Sequence, residues 1–169
     1  MKDYKIIIAD LDGTLIKTIS GETFPKGVWD MQLRFDVLDK IKEMSPRYVF
    51  IVSNQGGIEK GFVAKDAFCA KIEYVAYSIK EYCKCECCYS YCPSNNKYHP
   101  DRKPNTGMIE HLIKHHVDDY DAGYIKAVSL MIGDASGKPN QFSDSDKKTA
   151  ENFGCDYMDV EDFINSTLK

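Results

Sequence analysis

The segment Tyr4–Leu15, YKIIIADLDGTL, constrains this chain more than any other. Its apolar run, Ile6 to Ile8, directs a strand into a core and stops at two aspartates, Asp10 and Asp12. Alternate residues of a strand share a face, so the two carboxylates project together where the strand leaves its sheet. Gly13 then allows a sharp turn. Two close carboxylates repel unless a cation or a shared proton holds them, which points to a hard metal ion and phosphate chemistry. A calcium loop of the EF-hand kind is excluded, because its glycine comes sixth and a helix precedes it. A plain strand-ending turn uses the same residue types, so the rest of the chain decides.

The remaining sequence alternates strand-like and helix-like segments, the pattern of a parallel sheet with helices on both faces. Thr14 to Asp30 reads as a loop or small flap beside the DLDGT turn. Leu33, Val37, Leu38 and Ile41 space as one helical face, and RYVFIVSN reads as a buried second strand. A helix is expected from about Lys65 to Tyr82, a third strand over Cys87–Cys92 and a loop from Pro93 to Pro104. A helix over Thr106–His116 and a fourth strand, AVSLMIG, follow. A helix over Ser143–Phe153, a short strand CDYM and a helix over Val160–Asn165 complete the reading. With 169 residues, 43% hydrophobic and 28% charged, the expectation is one soluble domain, residues 1–169. No membrane span or export signal is visible, so a cytoplasmic location is expected. The net charge of −4 gives no overall footprint for nucleic acid, so any such contact must be local.

In an open parallel sheet, ligands bind at the carboxyl ends of the strands. The first strand ends in DLDGT and the second in SNQGGI, with Ser53 and Asn54 as donors. The loop after the third contains RKPNTGM, with Arg102 and Lys103, and the fourth strand ends in Gly133-Asp134. In this order the four motifs resemble those of haloacid dehalogenase (HAD) superfamily phosphatases. The resemblance implies a Rossmann-like three-layer sandwich around a central parallel sheet, with a small flap after strand one and no large cap. It implies phosphomonoester hydrolysis through an aspartyl-phosphate, with Asp10 as nucleophile and Asp12 as proton donor and acceptor. Magnesium would bind Asp10, Asp12 through its backbone carbonyl, and Asp134. Ser53, Asn54, Arg102 and Lys103 would hold the phosphate.

Within the superfamily, RKPNTGM resembles the group of histidinol-phosphate, heptose-bisphosphate and polynucleotide 3′-phosphatases. GDASGKPNQFSDSDKKTAENFG, Gly133–Gly154, and SGETFPKGVW, Ser20–Trp29, resemble the polynucleotide form. The sugar and histidinol enzymes carry a second acid where this chain has Lys138. A nucleic acid 3′ end is therefore the expected substrate, met by a patch of Lys97, Arg102, Lys103, Lys138, Lys147 and Lys148. A small-molecule phosphate is the alternative, and a non-catalytic phosphate- or zinc-binding module a third reading. GDASGKP falls one residue short of a P-loop and has Pro139 where Ser or Thr is needed, so 5′-phosphorylation is expected of another protein.

Five cysteines, Cys83, Cys85, Cys87, Cys88 and Cys92, fall within ten residues. In a reducing cytosol the choice is zinc or free thiols. Cys85, Cys88, Cys92 and His99 offer a Cys₃His set. A strand over Cys87–Cys92 would aim Cys85 away from Cys88 and Cys92, which favours free thiols.

Overall fold

The structure, a computed structural model, describes residues 2–22, 25–118 and 121–167. Strand β1 (Ile6–Ala9) leads into two short strands, β2 (Ile16–Lys17) and β3 (Gln32–Leu33), and helix α1 (Phe35–Met44). Then come β4 (Tyr48–Asn54), α2 (Gly56–Glu59), α3 (Lys65–Cys83) and β5 (Glu86–Cys92). Helices α4 (Gly107–His116) and α5 (Ala122–Ala127) precede β6 (Ser129–Gly133), and α6 (Ser145–Phe153) precedes β7 (Asp156–Asp159) and α7 (Val160–Asn165).

Five strands form a parallel sheet in the order β5-β4-β1-β6-β7. Ile6 at its centre pairs with Tyr48 on one side and Ser129 on the other. Because both faces are covered, the central strands are apolar throughout rather than alternating. Ile7, Ala9, Val49, Ile51, Leu130 and Ile132 pack with residues of α1, α3 and α7. Their neighbours Ile6, Ile8, Phe50, Val52 and Met131 pack with residues of α4, α5 and α6. The result is the expected Rossmann-like sandwich of three layers. From β1 the chain builds outward through β4 and β5, then crosses to β6 and β7. The crevice between β1 and β6 is thus the topological switch point, where ligands enter such sheets.

The flap is more ordered than its sequence suggests. Strands β2 and β3 pair antiparallel. Beyond them the Asp30 carboxylate accepts bonds from Ser20 N (2.9 Å), Ser20 Oγ (2.6 Å) and Lys26 N (2.9 Å). Those bonds hold its carboxyl down at about 2. Thr23 and Phe24, inside the Ser20–Trp29 resemblance, lie outside the described residues.

Leu33 departs from expectation, lying on β3 rather than on the face of α1. An apolar residue one helical turn before Val37 satisfies the same spacing from a strand that packs on the same core. Helix α1 stops where Ser45 takes a left-handed conformation (φ 51°) and Pro46 cannot continue the ladder. The short helices α2 and α5 had no sequence signal long enough to resolve.

Candidate active site

The site is built where β1 and β6 end. Asp10 N–H donates to the Ile132 carbonyl at 3.1 Å, which fixes the first aspartate against the neighbouring strand. The Leu11 carbonyl then accepts N–H bonds from Leu15 (3.0 Å) and Ile16 (3.1 Å), folding DLDGTL into a compact turn. Gly13 closes that turn at φ +84°, and a Cβ there would stand 2.0 Å from Asp134 Oδ2. Glycine is thus required twice, for its backbone angle and for the space occupied by the Asp134 carboxylate.

Lys103 reaches the same point from the loop after β5 and is 5% exposed. Its Nζ donates to Asp10 Oδ1 at 2.6 Å and to Asp146 Oδ1 at 2.7 Å. Asp146, in the first turn of α6, is 1% exposed, and its Oδ2 accepts the Ala135 N–H at 3.1 Å. Burial works against the charge on Lys103, but the two carboxylates outweigh it and raise the ammonium well above its ordinary range. Burial also raises Asp10; Lys103 opposes the shift, while Asp146 and Asp134 reinforce it. Asp134 is pushed up to about 6, by burial first and then by Asp146.

Asp12 stands differently, its side chain half-exposed. Lys71 Nζ donates to its Oδ1 at 3.2 Å, and Gln55 Nε2 donates to its Oδ2 at 2.7 Å. The same Gln55 amide donates to Ser53 Oγ at 2.9 Å, and Ser53 is buried.

Of the residues expected to bind phosphate, Lys103 reaches Asp10 and Ser53 is tied to Asp12 through Gln55, whereas two others are engaged elsewhere. Asn54 accepts the Lys103 N–H at 2.9 Å and donates to the Lys103 carbonyl at 3.1 Å, so its amide anchors the lysine's backbone. The Arg102 guanidinium donates to the Ser94 carbonyl at 2.6 Å and braces its own loop. Asp146 is the member that sequence reasoning missed. Its signal was the FSDSD string, where two acids, Asp144 and Asp146, compete and spacing does not select one.

Asp10, Asp134 and Asp146 each offer a carboxylate oxygen, all within 4.8 Å of one another. Three acids so close, two of them driven towards protonation, form an arrangement that a divalent cation relieves. An oxygen-only donor set suits magnesium, and Gly13 keeps the Asp134 oxygen unobstructed. The residues therefore fit that ion.

The Cys₃His set does not form: among the described residues, no three of Cys85, Cys88, Cys92 and His99 meet at ligand spacing. Cys85 packs on the α1–α3 side of the sheet, and Cys88 and Cys92 on the α4–α6 side. The sheet itself separates them. Cys92 Sγ lies 3.6 Å from His99 Nδ1, but a single pair holds no zinc. All seven cysteines are free thiols. The expected basic patch is also reduced. Lys138 pairs with Asp159 (3.0 Å) and Asp162 (2.9 Å), and Lys148 with Asp144 (2.7 Å).

The fold recurs among solved phosphatases. The D,D-heptose 1,7-bisphosphate phosphatase of B. bronchiseptica, solved with magnesium and phosphate, aligns over 90% of this chain and 78% of its own, with a TM-score of 0.66 at 20% identity. The protein has the fold of the HAD-like phosphatases. Within that class it belongs to the polynucleotide kinase 3 phosphatase family, whose model matches residues 5–164. The bifunctional polynucleotide phosphatase/kinase of Schizosaccharomyces pombe is 34% identical over 166 residues, 96% of this chain. The chain spans only 38% of that relative's length. An uncharacterised 20.8 kDa protein of Autographa californica nuclear polyhedrosis virus is 31% identical over 177 residues, covering 99% of this chain and 89% of the viral protein.

Proposed function

We propose that the protein is a magnesium-dependent phosphomonoesterase that removes 3′-phosphates from polynucleotide ends through an aspartyl-phosphate on Asp10. The observation that carries the reading is the buried Asp10–Lys103–Asp146 chain beside Asp134. Lys103 holds one oxygen of Asp10, leaving the other to attack phosphorus. As the new Asp10 O–P bond forms, the ester P–O bond breaks and Asp12 gives its proton to the departing oxygen. Water then attacks the same phosphorus, Asp12 takes the water's proton, and inorganic phosphate leaves with Asp10 regenerated. Lys103 and Ser53 face the phosphoryl oxygens during both transfers. Asp10, Asp134 and Asp146 would hold magnesium, which neutralises the charge between a carboxylate nucleophile and an anionic substrate.

The family assignment favours a polynucleotide over a metabolite. The loops after the catalytic strands agree with it. Phe62, on the turn between α2 and α3, and Tyr98 and Phe142, on the loops after β5 and β6, are 80%, 78% and 93% exposed. Exposed aromatic faces stack on unpaired bases without reading their sequence. The free cysteines suit a reducing cytoplasm as the setting.

The test is phosphate release from a 3′-phosphorylated oligonucleotide, set beside sugar and histidinol phosphates, with magnesium present. Oligonucleotide turnover that vanishes in Asp10→Asn is the expected result. Rapid turnover of a metabolite alone would transfer the site to small-molecule chemistry.

A further inference from the structure

Lys71 is a lysine in a place that packing does not explain. It lies on α3 between Phe68 and Val75, beside Ile72, each at most 1% exposed, and is itself 5% exposed. Burying an ammonium is costly, and an apolar side chain of similar volume would serve the helix at least as well. Its ammonium has one carboxylate partner among the described residues, Asp12 Oδ1 at 3.2 Å. Gln55 Nε2 holds the other Asp12 oxygen at 2.7 Å.

We propose that Lys71 is a positioning residue for proton transfer by Asp12, an inference that rests on the catalytic reading of Asp10 and Asp12 above. An ionised carboxyl group accepts at both oxygens, and Asp12 has a donor set against each. That is the form Asp12 reaches once its O–H bond has broken and the proton has joined the leaving oxygen. A fixed ammonium beside Oδ1 stabilises the charge developing there, and Gln55 fixes the plane in which it develops. Lys71 contacts no reacting atom; it acts through Asp12.

The signature follows from what the proton does. A departing nitrophenolate leaves without help, whereas a more basic oxygen needs the proton as its bond to phosphorus breaks. Removing Lys71 therefore penalises poor leaving groups selectively. The measurement is kcat/KM, which ends at the first irreversible step and so reports transfer to Asp10 without the later hydrolysis. Wild type, Lys71→Met and Lys71→Arg are compared on substituted phenyl phosphates from p-nitro to p-methoxy, with magnesium. Lys71→Met should fall less than about threefold on the p-nitro ester and tens of fold on the p-methoxy ester, within the range general acids contribute. Lys71→Arg should recover most of that loss. A partly unfolded population lowers every substrate equally, so a steeper leaving-group dependence cannot come from misfolding. Equal losses across the series, or none, would overturn the proposal. Wild-type protein inert on the whole series would instead remove the catalytic reading, and this inference with it.

Discussion

Gly133 is where one methyl group tests whether Asp146 is a fixed part of the site. A Cβ built at the end of β6 would stand 2.3 Å from Asp146 Oδ2, 2.6 Å from its Cγ and 2.7 Å from its Cβ. Ordinary carbon contacts lie at about 3.5–4.0 Å, so Gly133→Ala requires a displacement of roughly 1 Å. Asp146 has nowhere easy to go, since its two oxygens are held by Lys103 and the Ala135 N–H. Overpacking of this kind costs about 1–3 kcal/mol, and at this chain length each kcal/mol lowers Tm by about 2–4 °C. The effect on turnover is larger. Lys103 bridges Asp146 and Asp10, so moving one moves the other, and a misplacement of about 1 Å costs on the order of 10²-fold in rate. The assay is kcat/KM on an aryl phosphate beside a thermal melt, with Gly57→Ala as control, where the nearest atom to a new Cβ is Val63 Cγ2 at 3.5 Å. Gly133→Ala with wild-type kcat/KM and wild-type Tm would refute the claim that Asp146 positions the nucleophile through Lys103.

Three further outcomes follow from the same geometry. Chelation with EDTA should abolish turnover and lower Tm, because Asp10, Asp134 and Asp146 then repel without a cation, and magnesium should restore both; activity that survives chelation would remove the metal from the reading. Phe62→Ala and Tyr98→Ala should each raise KM for a 3′-phosphorylated oligonucleotide at least about fivefold, from stacking worth ~1–3 kcal/mol per base, while an aryl phosphate is turned over as before; equal effects on both substrates would argue against stacking. Asp159 is buried, which opposes its ionisation, yet bonds from Ser136, Gln141 and Lys138 hold its carboxyl down at about 2. The unfolded chain protonates this group first, near the ordinary value of about 4, so stability present above that pH is lost as the pH falls towards 2. Melts from pH 7 to pH 2 should show a shallower acid loss in Asp159→Asn, and parallel curves would exclude the group as a contributor.

Where local pattern carries the information, the sequence was readable. The central strands are continuous apolar runs because helices cover both faces, and each run ends in the residues that the sheet delivers to one edge. That is why Asp10, Asp12, Ser53 and Asp134 could be placed on one edge from strand ends, while Lys103 enters from the loop after β5. The same logic misplaced Leu33, since a residue one turn ahead of Val37 packs identically from a short strand. It also could not show how Asn54 and Arg102 are held. Their position at the site is real, but which way a long side chain turns depends on neighbours such as the Ser94 carbonyl and the Lys103 backbone.

Asp146 shows the other limit, and it bears on how this site works. Between Gly133 and α6 the chain makes an irregular excursion tied down by Asp159, which accepts bonds from Ser136, Gln141 and Lys138. The length of that excursion, together with the Ala135 carbonyl that accepts the Asp146 N–H at 3.1 Å, decides which acid of FSDSD returns to the sheet. No pattern of residue types encodes such a length. The lysine expected to face substrate, Lys138, is instead part of the anchor that sets it. The acid that holds Lys103 against the nucleophile is therefore placed by the course of that loop, and weakening the Asp159 anchor should reach the chemistry through Asp146.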